Sequence, residues 1–429
     1  MAAVAEEKGI DIPPYFLCPI SLQIMRDPVT LPTGITYDRD DIEKWLFPAG
    51  KAKAAPTCPV TKQPIIPGAD LTPNHTLRRL IQAWCVANAS HGVERFPTPR
   101  APVDRSHVEH LLNQAREPAT QLGALRKLRS VAAESERNRR CVEATGAPDI
   151  LVSVIRSCGS PAPCEEDDRV ESTSCGSGGD AEEEALCILY SLQISQQGFC
   201  DLIVRNSDLV ELLTAVLQRS SYQSRAYATF LLRSVFEAVS PVRLLVLKAE
   251  LFQELVKVVT DQISYKTTKT ALRILAQVCP WGRNRIKAAE AGGVPVLVEL
   301  LLDATEKWVC EMALVVLDQL CGCAEGRAEL LSHAAGLAVV SKKILRVSLP
   351  ATERAVRVIA AVSKSSATPA VLQEMLKVGV VTKLCLLLQV DCGNKTKERA
   401  KEVLRLHSRT WKCSPCIPPQ LLASYPSLL

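Results

Sequence analysis

The chain has 429 residues, too many for one ordinary hydrophobic core, so two or more units or a repeat array are expected. Hydrophobic residues make up 47% and aromatics only 4%, with Leu, Val and Ala dominant, which favours helices over a sandwich or barrel. A formal charge of +5 is small for this length and speaks against nucleic acid as the main partner.

The opening "MAAVAEEKGID" carries two Glu and no apolar run, so residues 1–11 read as a tail and not as a secretory signal. No stretch of about 18 uncharged apolar residues occurs, so no transmembrane segment is expected. The 17 cysteines are read as small buried residues in a reducing, cytoplasmic setting.

Residues 12–87 are rich in Pro and turn signals. Within them "YDRDDIEKWLF" at 37–47 predicts a helix with Asp38 as N-cap, acidic residues in its first turn, and Ile42, Trp45 and Leu46 on one face. "PNHTLRRLIQAWC" at 73–85 predicts a second helix, capped by Asn74, with Leu77, Leu80, Ile81 and Trp84 as its stripe. Residues 88–106, with three prolines in "HGVERFPTPRAPVDRS", read as a linker.

From 107 to 412 the chain is helical and self-similar. Ala followed four residues later by Leu or Ile recurs as Ala124/Leu128, Ala185/Leu189, Ala228/Leu232, Ala271/Leu275, Ala313/Leu317, Ala355/Ile359 and Ala400/Leu404. Gly293, Gly336 and Gly379 open apolar helices at intervals of 43. A period near 42 is the mark of armadillo-type helical repeats, about seven here, stacked into a superhelix with a concave groove. The Ala allows close crossing and the Leu fills the layer. The first interval, 61, is longer by about 18, and the excess falls in 158–184, "CGSPAPCEEDDRVESTSCGSGGDAEEE". Its acidic, apolar-poor composition predicts a disordered insertion, either a phosphorylation segment or a tolerated loop. Residues 413–429 form a tail whose "CSPC" reads as two free thiols. "NKTKERAKEVLRLHSRTWK" at 394–412 places Lys397, Lys401 and Arg405 on one face, either an anion-binding surface or the polar cap of the last repeat.

The amino-terminal part poses a ligand problem. "LCPISLQI" and "TCPVTKQPI" each carry a Cys-Pro pair, as zinc modules often do. Two RING-type tetrads need eight ligands, yet only Cys18, Cys58, His75 and Cys85 lie between 12 and 87. The C-x-x-C partners are replaced by Ser21 and Thr61, so no metal is expected. Ser21, Asp27, Thr36, Asp38, Thr61 and Asn74 can substitute hydrogen bonds and ion pairs for metal bonds. Each such bond contributes about 1 kcal/mol net, so a network plus a core of Phe16, Val29, Ile42, Leu46 and Leu80 is required.

That metal-free, RING-like layout resembles the U-box. The residues that carry the likeness are "PPYFLCPISLQIMRDPVTLPTGITYDRDDIEKWL", "CPVTKQPI" and "LTPNHTLRRLIQAW", almost the whole of 12–85. With the linker and the repeats, the chain resembles the plant U-box/armadillo ubiquitin ligases, and its wording is close to the subgroup associated with defence and stress. The expected fold is a small α+β U-box followed by an all-α armadillo-repeat superhelix.

The resemblance implies an E3 ubiquitin-protein ligase. Its U-box would dock a ubiquitin-charged conjugating enzyme and promote transfer to a substrate lysine, with no covalent intermediate, catalytic nucleophile or cofactor on this chain. Ile20 and Leu22 of the first loop, Trp45 of the central helix, and Pro59 with Val60 of the second loop would form the docking surface. Lys62 occupies a place where related ligases hold the charged donor with a cation. Cys18 and Cys58 would be structural, and the armadillo groove would recruit protein substrates. The resemblance leaves room for a homodimer, and "ERNRR" at 136–140 leaves room for nuclear access. The competing readings are a non-enzymatic armadillo adaptor with a degenerate U-box, and a zinc RING-like ligase.

Overall fold

A computed structural model describes residues 12–46, 57–65, 71–89, 103–159 and 177–411. The chain divides into two compact units, residues up to Asp104 with the segment Glu134–Cys141, and the remainder from Arg105 to the carboxyl end. The first eleven residues, the centre of the expected linker, most of the expected insertion and the "CSPC" tail lie outside the described residues.

The first unit is built on a three-stranded sheet of order β2-β1-β3, with β1 at Pro28–Thr30, β2 at Thr36–Asp38 and β3 at Thr72–Pro73. β1 pairs antiparallel with β2, Val29 opposite Tyr37, and with β3, Val29 opposite Pro73. The β1–β2 turn closes through Leu31 N–H to Ile35 O at 3.0 Å, with Gly34 supplying the positive φ of 81°. Helix α1, Arg39–Leu46, starts on Asp38, whose carboxylate accepts from Asp40 N–H as the cap requires. Helix α2, His75–Ala87, starts on Asn74, which accepts from Leu77 N–H at 3.0 Å.

The core joins Phe16, Cys18, Met25, Val29, Leu31, Tyr37, Ile42, Cys58, Ile65, Ile81 and Cys85. Phe16, Val29 and Ile42 are buried as expected, and Leu46 partly so. Leu80 is not in the core and is 52% exposed. The inward stripe of α2 runs through Leu77, Ile81, Trp84 and Cys85; Leu80, about 100° from Ile81, falls off a stripe this narrow.

Although Glu134 and the helical segment Glu136–Cys141 group with the first unit, helices make up the second. They are α3 (Arg105–Arg116), α4 (Gln121–Glu134), α5 (Glu136–Ala144), α6 (Ala147–Gly159), α7 (Ser177–Ser191), α8 (Gln196–Arg205), α9 (Leu209–Leu217), α10 (Tyr222–Ala238), α11 (Ala249–Asp261), α12 (Tyr265–Val278), α13 (Asn284–Glu290), α14 (Gly293–Asp303), α15 (Lys307–Leu320), α16 (Ala324–Ser332), α17 (Gly336–Lys343), α18 (Leu349–Ser365), α19 (Pro369–Lys377), α20 (Val380–Gln389), α21 (Asn394–Leu406) and α22 (Ser408–Trp411). Most repeats comprise three helices. The repeated Ala/Leu pairs all fall on the long third helices α4, α7, α10, α12, α15, α18 and α21, and every one of those side chains is buried. From α7 onward, consecutive third helices pack on one another.

Polar groups repeat with the same period. Gln277 donates to Phe236 O at 2.8 Å and Gln319 to Ala276 O at 2.9 Å, so the end of one third helix is capped by the next. Buried Asp318 receives Arg354 at 2.9 Å and Arg357 at 2.7 Å from the following repeat. In the last described helix Trp411 is fully buried, and its indole N–H reaches Leu372 O at 3.2 Å.

Two sequence expectations need correction here. Residues 177–184 belong to α7 and are not part of a disordered insertion. The acidic run fits at a helix N-terminus, and its carboxylates find partners: Glu182 is buried against Arg219, and Glu184 meets Arg129 at 2.9 Å. The glycine period of 43 also combines two different requirements. A Cβ on Gly293 or Gly336 would collide with the carbonyls of Ala288 and Leu330. Gly379 instead precedes its helix at φ 76°, the counterpart of Gly292 at φ 78°.

Candidate functional site

Two loops of the first unit share one construction. In the first, Cys18 N–H donates to Gln23 O at 2.8 Å and Leu22 N–H to Cys18 O at 2.8 Å. In the second, Cys58 N–H donates to Gln63 O at 2.9 Å and Lys62 N–H to Cys58 O at 3.0 Å. Leu22 and Lys62 both adopt left-handed backbone, φ 57° and 59°. The pattern Cys-Pro-x-Ser/Thr-x-Gln therefore folds twice into the same turn, with a non-glycine residue in the strained position each time.

Helix α1 clips both loops. Ser21 Oγ donates to Asp41 in the first, and Trp45 Nε1 donates to Thr57 O at 2.9 Å in the second. Asp41 and Trp45 are four residues apart, one turn of the same helix face. The apolar tips of the loops are left outside: Leu22 is 73% exposed, Val60 51% and Trp45 47%. Pro59 is half-buried, and Ile20 divides its side chain between the core and the surface. Lys62 is exposed, with Nζ 5.8 Å from the Trp45 ring centroid.

The polar residues that the sequence offers in place of metal ligands engage in hydrogen bonds. Cys18 Sγ accepts from Asp38 N–H at 3.3 Å, and Asp38 accepts from the N–H groups of Arg26 and Asp27 at 2.7 and 3.1 Å. Burial pushes the Asp38 carboxyl up from its ordinary value, against these hydrogen bonds. Thr36 pairs across the sheet with Thr30 at 2.9 Å. Asp27 receives Arg39 at 2.7 Å and also Arg78, tying α1 and α2 to the head of β1. Asn74 caps α2 and donates its own N–H to Pro28 O at 2.8 Å.

Cys58 is the centre of a second hydrogen-bonded cluster. Tyr37 Oη lies at 3.1 Å, Thr33 Oγ1 at 3.5 Å and Thr61 N at 3.4 Å from its sulfur. Burial pushes the thiol up, but the hydrogen bonds from Thr33, Thr61 and Tyr37 outweigh it and bring it down to about 6. Burial pushes the Tyr37 hydroxyl up as well, so it stays protonated beside the sulfur. A depressed folded value means the thiolate stabilises the fold. That contribution is complete above the free-thiol value of 9.0, shrinks as pH falls, and is gone below about 6. Amide exchange at Val29 and Tyr37 in the full chain is therefore expected to show rising protection from pH 6 to 9, with a flatter profile in Cys58→Ser. Equal slopes would contradict this account of the sulfur.

Tyr37, Thr33, Asp41, Arg39 and Arg78 are the working residues that the sequence reading passed over. The spacing of Asp41 and Trp45 was a visible signal; the convergence of Thr33 and Tyr37 on a sulfur more than twenty residues away was not. The basic face of α21 is interleaved with acid: Lys401 pairs with Glu398 at 2.8 Å, and Glu402 takes Lys364 at 2.6 Å. Among the described residues, no group of three or more His, Cys, Asp or Glu side chains is placed to hold a metal ion, and no helix is long and apolar enough to cross a membrane.

Twin loops clipped to one helix over a hydrogen-bonded core, followed in the same chain by stacked three-helix repeats, define a U-box protein of the armadillo type. Residues 12–90 match the U-box domain family, and residues 106–427 match the family described as the plant U-box protein ARM repeat region. The chain belongs to the plant U-box/armadillo family of E3 ubiquitin-protein ligases, which are ubiquitin transferases. Among its relatives, E3 ubiquitin-protein ligase PUB23 of Arabidopsis thaliana is 51% identical over 426 residues, covering 98% of each chain. E3 ubiquitin-protein ligase PUB22 of the same plant is 49% identical over 439 residues, covering 98% of this chain and 100% of that one. A solved structure described under a phosphorylation switch between cadherin and β-catenin matches with a TM-score of 0.56 at 15% identity, over 78% of this chain and 58% of that one, a likeness of fold.

Proposed function

We propose that the twin loops and α1 dock a ubiquitin-charged conjugating enzyme and promote transfer of its ubiquitin to a substrate lysine. The observation that carries this reading is the exposure of Leu22, Val60 and Trp45 on three segments that hydrogen bonds hold together. Rigid loops lose little entropy on docking, so exposed apolar tips of this kind convert efficiently into affinity. Ile20 and Pro59 flank the same rim, and Lys62 adds a cation beside Trp45 for the donor ubiquitin. A lysine gives a point contact where an arginine would give two. Neither loop cysteine serves as a nucleophile, since both are fully buried with their sulfurs engaged in hydrogen bonds.

The repeats, in this reading, recruit the substrate. The proposal extends to defence or stress signalling in a cytoplasmic setting, which suits thiols that are free and largely buried among the described residues. Incubation of the full chain with an activating enzyme, a conjugating enzyme, ATP and ubiquitin is expected to give ubiquitin chains or self-modification. Failure with every member of a broad panel of conjugating enzymes would favour a non-enzymatic adaptor instead.

A further inference from the structure

Several cations along the third helices meet carboxylates. Arg225 pairs with Asp261, Arg233 with Glu237, Arg354 and Arg357 with Asp318, and Lys401 with Glu398. Lys266, Lys269 and Arg273 of α12 are different. Among the described residues, none of them has a carboxylate within ion-pair distance. At spacings of three and four residues they form one row, about 10 Å long at helical rise.

Aromatic rings flank that row on both sides. Lys266 Nζ lies 4.6 Å from the Phe230 centroid and 5.2 Å from that of Tyr190, and donates to Tyr190 Oη at 2.9 Å. On the next repeat, Trp308 receives Lys269 Nζ at 4.4 Å and Arg273 Cζ at 4.8 Å. The rings hold the cations in place but leave their formal charge uncompensated. Side chains already laid on rings have less rotamer freedom left to lose, so an arriving anion meets a preorganised row.

We propose that this row binds an acidic segment of a protein substrate. Carboxylates would pair with Lys266, Lys269 and Arg273, while a neighbouring apolar or aromatic side chain packs on Phe230 or Trp308. The inference rests on the substrate-recruiting reading of the repeats and narrows it to one chemical class. A row of cations suits carboxylates strung along an extended chain, about 7 Å apart at every second residue. A single phosphate is compact and would engage only part of it.

The test uses the full chain and a labelled twelve-residue peptide with Glu at every second position and one central Phe. Its affinity, read by fluorescence anisotropy, is expected to fall at least tenfold in Lys269→Gln/Arg273→Gln and to weaken with added salt. Lys269→Arg, which keeps the charge, is expected to retain binding, and Lys397→Gln/Lys401→Gln on α21 to stay within twofold. Thermal unfolding of each variant confirms that the stack is intact. Affinity indifferent to the α12 pair, or lost only with the α21 pair, would overturn the proposal. So would tenfold tighter capture, through the same residues, of a peptide whose glutamates are replaced by one phosphoserine, or of phosphatidylserine vesicles. Self-modification of the wild-type chain is measured alongside. If conjugates form while the probe ignores α12, this inference fails and the ligase reading stands.

Discussion

Asp27→Ala is expected to unfold the U-box while leaving the repeat helices folded. Asp27 is the shared partner of Arg39 and Arg78, and only 14% of each arginine side chain is exposed. Its backbone is equally committed: its N–H donates to Asp38 and its carbonyl accepts from Arg39 N–H at 3.0 Å. Removing the carboxylate leaves largely buried Arg78 without its partner and Arg39 with only Glu43, at 3.7 Å, a loss of about 3 kcal/mol by the measure of broken buried pairs. A unit this small has little stability to lose. Thermal unfolding of the full chain should then show an early transition for the U-box and an unshifted one for the repeats, with ubiquitin transfer abolished. Asp27→Asn keeps the shape and part of the hydrogen bonding, so its transition should fall in between. A single, unshifted melt in Asp27→Ala would remove this ion-pair junction from its place in the fold.

The second large effect concerns docking and should be separable from folding. Leu22→Ala/Val60→Ala removes two exposed side chains, so stability should change by no more than about 0.5 kcal/mol. Discharge of a charged conjugating enzyme should slow at least tenfold, the loss of about 1.4 kcal/mol expected when interface anchors are truncated. Ile20→Ala and Trp45→Ala are less clean. Ile20 packs partly on the core, and the Trp45 indole holds the second loop to α1. Trp45→Phe would separate the two roles of Trp45: the ring remains, but the bond to Thr57 O is lost.

Local signals made much of this fold legible. The Asp38 and Asn74 caps are read from residue type and position, and both occur. The Ala/Leu pairs mark every third helix because each repeat faces the same packing problem. The failures share one cause, which is that the deciding partner is distant in sequence. Glu182 reads as part of a disordered acidic stretch until Arg219 is placed beside it. Leu80 matches the helical period of its neighbours, yet the sheet covers too narrow a stripe of α2 to reach it. The cation row on α12 becomes conspicuous only when Tyr190, Phe230 and Trp308 come in from other repeats. Of the proposed docking rim, the loop and helix residues stand in short local motifs, whereas the Ser21–Asp41 and Trp45–Thr57 clips join segments distant in sequence.

The central claim is that hydrogen bonds alone shape two loops into a grip for another enzyme. The most direct measurement is single-turnover discharge of a pre-charged conjugating enzyme to free lysine by the full chain in excess chelator. The wild-type chain is predicted to keep its full acceleration under these conditions, and Leu22→Ala/Val60→Ala to lose most of it. Acceleration that disappears on chelation, or that survives undiminished in the double variant, would contradict the account.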